Sequence, residues 1–198
     1  LTLMAMRRSR GSIDFDLPEP EIIIGLTGLT EAIIKSERNL AHQLIEEFML
    51  AANEAVARFV TEQQLPFIYR IHESPDQTKL ADFRDFILPF GFNLDLQGDK
   101  VAPKALQQLI AEAEGRPEER MVNYGLLRCM KQARYASSNL GHFGLASDCY
   151  THFTSPIRRY PDLIVHRLLR LALAHQEDKL GKQGQRELDR ISATLGEA

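Results

Sequence analysis

The sequence has little of several things, and each shortage excludes something. Only two cysteines, Cys129 and Cys149, occur in 198 residues. They form no C-x-x-C pair, so neither a zinc ribbon nor a disulfide framework is indicated, and a reducing, cytoplasmic setting is expected. No apolar run approaches the roughly 18 residues that a membrane span needs. No two of the six histidines have H-x-x-x-H zinc spacing. Phosphate loops of the Walker or G-x-G-x-x-G type are absent. Ser155 has no G-x-S-x-G elbow and is followed by proline, which sets aside a serine hydrolase. Cys149 near His152 lacks a third, orienting group. The net charge is only −3, which by itself argues against a nucleic-acid partner.

What is present fits one globular domain. Apolar residues make up 44% and charged residues 26%, enough to bury a core without a disulfide or a structural metal. The first 35 residues read as extended: Ile13 and Phe15 alternate with Asp14 and Asp16, and apolar runs follow at Glu21–Ile24 and Ala32–Ile34. Ser36 is positioned to cap a helix over 36–61, with Leu40, Leu44, Phe48, Ala51, Ala55 and Phe59 as its core face. A strand is expected over 67–72 and helices near 76–90, 103–113, 117–134 and 157–174. Residues 135–154 read as a loop, and the polar, glycine-containing tail as a weak helix or a linker. The fold class is α+β and mostly helical, with strands near 11–17, 21–24 and 67–72 in a small, incomplete sheet.

The charge is unevenly spread. From Arg128 to Arg170 there are seven basic side chains against two acidic ones, so this segment carries +5 and the remainder −8. Such a surplus fits either ordinary solvated arginines or a polyanion partner. Within it, Ser155-Pro-Ile-Arg-Arg-Tyr-Pro-Asp opens the last apolar helix and sets Arg158 and Arg159 at its N-terminus. Two cations there are unfavourable for an isolated helix and fit an anion between them. Arg158, Asp162 and His166 are spaced by four on one face. They fit a structural Arg–Asp–His network or a phosphate site equally well.

The run Tyr150-Thr-His-Phe-Thr-Ser-Pro-Ile-Arg-Arg-Tyr-Pro-Asp-Leu, with upstream His142-Phe-Gly-Leu-Ala, closely resembles the signature of the RNB family. These are 3′→5′ exoribonucleases of the ribonuclease II and ribonuclease R type, and the likeness is greatest on the bacterial ribonuclease R side. It extends through Arg38–Ala57, Leu65–Glu73 and Met130–Tyr135, and so from Gly11 to about Ala174. The resemblance implies processive, sequence-nonspecific hydrolysis of single-stranded RNA to nucleoside 5′-monophosphates, with Mg²⁺ as cofactor. By resemblance Arg158 holds the scissile phosphate and stabilises the transition state. Glu46 contacts a nucleotide near the 3′ end, with Glu47 the neighbouring alternative; helical position favours Glu46 as the inward one. Phe15 stacks on terminal bases or, alternatively, packs in the core. Tyr150, His152, Thr154, Ser155, Arg159 and Arg167 contact the RNA or support those that do.

One part of the family pattern is not found. The Asp-x-x-x-x-x-Asp-x-Asp-Asp cluster that binds Mg²⁺ has no counterpart; Asp14, Asp16, Asp82, Asp85, Asp95 and Asp99 do not reproduce it. The chain therefore reads as the C-terminal part of an RNB catalytic domain over 1–174, with 175–198 leading toward an RNA-binding domain. It is expected to be inactive alone. The alternatives are a non-catalytic RNA-binding piece and a purely structural one. A partial domain also leaves apolar faces and strand edges uncovered, so self-association is expected.

Overall fold

The computed structural model describes residues 2–14, 20–25, 28–35, 39–96, 101–174 and 181–196. Local signals place most of the helices. In α2 (Leu40–Glu62) the side chain of Asn39 accepts from the His42 N–H, so Asn39 is the cap; Ser36 lies outside the described residues. Asp76 caps α3 (Gln77–Ile87) in the same way, accepting from the Lys79 N–H at 3.0 Å. Pro103 opens α4 (Pro103–Ala113), where a helix needs no N–H donor. The helix expected over 117–134 is shorter: α5 spans Glu119–Cys129. Arg134–Ala136 instead forms strand β4, antiparallel to β3 (Tyr69–Ile71).

The extended reading of the first 35 residues is corrected in part. Thr2–Arg10 is a helix, α1, and no strand occupies 11–14. α1 carries no apolar stripe. Its buried side chain is Arg7, and it is tied to α2 by ion pairs from Arg7 to Glu47 and from Arg10 to Glu54. The apolar runs do become strands: β1 (Pro20–Ile24) and β2 (Thr30–Lys35) form an antiparallel hairpin with Ile22 opposite Ile33. The strands thus make two separate two-stranded ribbons, where one small sheet was expected.

Two cores organise the mostly helical α+β chain. Leu80, Phe83, Ile87, Leu106, Leu109, Val122 and Leu126 join α3, α4 and α5. Gly125 lets α3 and α5 approach closely, since a Cβ there would stand 2.5 Å from the Phe83 ring. The second core gathers Val60 of α2, Phe67, Ile68 and Ile71 around β3, Ile164 and Val165 of α6 (Tyr160–Leu173), and Leu188 of α7 (Gly181–Gly196). Of the two forms expected for the tail, the structure shows a helix, and α7 lies against β4.

The core face expected for α2 is corrected in part: Phe59 packs against the second core as expected, but Ala55 and the N-terminal apolar residues do not face a core. Leu40, Leu44 and Phe48 are exposed, while Glu47, Asn53, Ala57 and Val60 point inward. The cause is partner chemistry: Arg7 waits for Glu47, and the loop before α6 waits for Asn53. The apolar stripe of α2 and Ile22, Ile23, Ile33 and Ile34 of the hairpin stay in contact with solvent. No helix among the described residues is long and apolar enough to cross a membrane.

Candidate functional site

The segment Tyr150–Arg159 carries the sequence signature, and its root is tightly fixed. Tyr150 is buried, and its hydroxyl accepts from Asn53 Nδ2 at 2.9 Å. Asn53 Oδ1 in turn accepts from the Phe153 N–H at 2.9 Å. The Thr151 hydroxyl donates to the Ile68 carbonyl at 2.7 Å. One amide on α2 thus pins the loop at two points, which accounts for a polar residue on the inner face of that helix.

The tip is governed by Asp162, which is 0% exposed. Its Oδ1 accepts from the Ser155 N–H at 2.7 Å and from Arg159 Nη2 at 2.8 Å. This corrects the network expected for the α6 face. Arg158 precedes the helix and Arg159 is its cap residue, so Arg159 takes the place beside Asp162. His166 turns to the loop instead: its ring stacks on Phe153 at 4.1 Å and its Nε2 donates to the Phe153 carbonyl at 2.9 Å. Arg158 is left exposed next to a fully exposed Ile157, and its guanidinium has no ion-pair partner among the described residues. Of two adjacent arginines, one is neutralised by a buried carboxylate and the other is presented to solvent.

A train of rings lies behind this loop. His72, His142, Tyr150, His152 and Tyr135 meet edge to face in sequence, with centroids 5.1–5.7 Å apart. Nδ1 of His72 accepts from the Gly144 N–H, so the ring is neutral and Nε2 donates to the Lys131 carbonyl. Burial, followed by the neighbouring His72 and Arg70, lowers His142 to about 3. Burial, followed by Arg159 and Arg70, lowers His152 to about 4. His72 is lowered too, chiefly by burial.

A depressed histidine stabilises the fold fully above its unfolded value of about 6.5 and progressively less as pH falls toward its folded value. In that window the unfolded chain binds more protons. Stability is therefore expected to fall between pH 6.5 and 5, with His142 alone contributing up to about 1.4 kcal/mol per pH unit. Urea unfolding of His142→Phe over the same range should give a flatter profile. An unchanged slope would remove this ring from the account.

The remaining expected residues fall as follows. Glu46 is half-buried, whereas Glu47 is the inward one, receiving Arg7 Nε and Nη2 at 3.0 and 2.8 Å; this reverses the expected preference. Tyr150 packs beneath the loop and Arg159 is committed to Asp162. Thr154 Oγ1 is buried without a partner among the described residues. Ser155 holds the loop through its backbone, His152 is half-buried, and Arg167 is exposed on α6. Phe15 lies outside the described residues. Two neighbours of the site were not singled out from sequence. Arg70 lies over the Tyr135 ring at 4.8 Å, and the Tyr135 hydroxyl meets His152 Nδ1 at 2.7 Å. The signal for Arg70 was a cation within the short strand Tyr69-Arg-Ile, between two buried side chains.

Among the described residues no group of three or more His, Cys, Asp or Glu side chains could hold a metal. Asp14 lies 3.8 Å from Arg7. The described residues do not fit a Mg²⁺ site.

The RNB domain model matches residues 1–175. The chain is 51% identical over 168 residues to ribonuclease R 1 of Lactococcus lactis, covering 85% of this chain and 21% of that protein. It is 47% identical over 175 residues to ribonuclease R of Aquifex aeolicus, covering 88% and 25%. The structure of Mycoplasma genitalium RNase R in complex with ribose-methylated single-stranded RNA superposes with a TM-score of 0.89 at 30% identity, covering 98% of this chain and 31% of that one. The chain belongs to the RNB domain family. It spans about a fifth to a quarter of the length of these two curated relatives.

Proposed function

We propose that the protein carrying this chain is a cytoplasmic 3′→5′ exoribonuclease that degrades single-stranded RNA processively, without sequence preference, to nucleoside 5′-monophosphates. The chain supplies the phosphate-gripping part of the RNB domain, and Arg158 is its catalytic residue. The observation that carries this reading is the unequal arginine pair. Asp162 neutralises Arg159 and fixes the loop, while Arg158 stays free to meet negative charge building on phosphoryl oxygens. Family membership and the RNA-bound relative support it. The sequence does not carry the Asp-x-x-x-x-x-Asp-x-Asp-Asp cluster that the resemblance implies for Mg²⁺, so the chain by itself is expected to bind RNA without cleaving it. The test is hydrolysis of 3′-hydroxyl single-stranded RNA by the protein that carries this chain, with and without Arg158→Ala. Undiminished turnover would overturn the assignment.

A non-catalytic RNA-binding role is the second reading, favoured by the lack of a metal cluster among the described residues. RNA binding without turnover in the protein that carries the chain would establish it instead. The uncovered isoleucines of the hairpin and the stripe Leu40, Leu44 and Phe48 also support self-association of the isolated chain. Sedimentation at rising concentration should show more than a monomer, and a monomer throughout would refute this.

A further inference from the structure

Arg70 is a cation that the fold does not require. It sits on β3, half-buried, and its guanidinium lies over the Tyr135 ring at 4.8 Å. Stacking of this kind is a weak attraction at a site still partly open to solvent. It also uses the face of the guanidinium and leaves the N–H fork along the edge available. Among the described residues no carboxylate pairs with Arg70. Glu73, three residues on, serves Lys131 and Arg134. Asp162 gives Oδ1 to Arg159 and Ser155.

Tyr135 and His152 stand between Arg70 and the loop. The phenol of Tyr135 is pushed up by burial and so keeps its proton. We assign it as the donor to His152 Nδ1, which places the imidazole proton on Nε2. That N–H has no partner among the described residues. Arg70, Arg158 and Arg159 all act on the same imidazole. Arg70 and the Arg159–Asp162 pair therefore stand beside two neutral rings, and Arg70 remains a half-buried positive charge with no carboxylate against it among the described residues. A partly buried charge of this kind is costly unless an anion completes it. The completing group must accept a guanidinium fork and an imidazole N–H, as a phosphate oxygen pair does.

We propose that Arg70, with the Nε2–H of His152, forms a second phosphate subsite, which takes a backbone phosphate adjacent to the one held by Arg158. It rests on the RNA reading above and extends it to a residue outside the loop. Arg70 is then a binding residue that holds the strand in register, with Tyr135 keeping its guanidinium flat.

The test is binding of a fluorescent single-stranded RNA homopolymer to the chain across a salt series. Loss of one phosphate contact should reduce the slope of log K against log salt by about 0.7. Arg70→Gln is expected to show that reduction together with about tenfold weaker binding at low salt. Arg70→Lys keeps the charge without the fork; it should retain the wild-type slope and bind less tightly. It also serves if the glutamine variant does not fold. A wild-type slope and affinity in Arg70→Gln, alongside a reduced slope in Arg158→Gln, would overturn the subsite and leave the nuclease reading standing. A wild-type chain with no salt-dependent RNA binding would overturn both.

Discussion

Arg158→Ala is expected to lower RNA turnover about 10²–10³-fold, the loss typical of removing one preorganised contact to transition-state charge. Stability should change by no more than about 0.5 kcal/mol, because the side chain is exposed and unpaired among the described residues. Arg159 is the contrasting neighbour. It is partly buried against Asp162, so its loss should disturb the loop and the start of α6 and lower stability and activity together. A parallel loss of stability in Arg158→Ala would assign Arg158 a structural role. Arg158→Lys should recover only part of the activity, since an ammonium cannot grip two phosphate oxygens as a fork does.

Glu47→Ala is expected to cost about 3–5 kcal/mol, the range for breaking a buried ion pair by removing one partner. Arg7 is 5% exposed, and Glu47 Oε1 takes two of its N–H groups; Ser12 takes a third at 2.8 Å. Without the carboxylate, a guanidinium remains buried with, among the described residues, the Ser12 hydroxyl as its side-chain hydrogen-bond partner and Asp14 at 3.8 Å. The double substitution Arg7→Met with Glu47→Leu should recover most of the loss, because two apolar groups need no partner. Urea unfolding of the three variants measures this. A smaller loss in Glu47→Ala than in Glu46→Ala would refute the inward placement of Glu47.

The two cases show where the sequence could be read and where it could not. α4 occupies the expected 103–113, because Pro103 and the spacing of Leu106 and Leu109 are local signals. α3 and α6 are legible for the same reason, with Asp76 as a cap and Pro161 in a first turn. The hairpin strands follow from isoleucine runs around a glycine-containing turn. α1 was not legible, since its place depends on Glu47 and Glu54, some forty residues away. The inner face of α2 was misread for a related reason. Periodicity ranks Leu40, Leu44 and Phe48 above Glu47 and Asn53 and has no means of seeing Arg7 or the Tyr150 hydroxyl across the fold.

The candidate site divides along the same line. The sequence by itself determined that Arg158 and Arg159 stand together before an apolar helix, inside a segment of net +5 that resembles the RNB signature. Only the tertiary structure decided which arginine is free. Helical spacing of four pointed from Asp162 to Arg158, but the helix starts at Tyr160, and the buried carboxylate reaches the cap residue three positions back. Where a helix begins depends on what its first turn packs against. A one-residue difference there exchanges the neutralised arginine for the one that faces solvent.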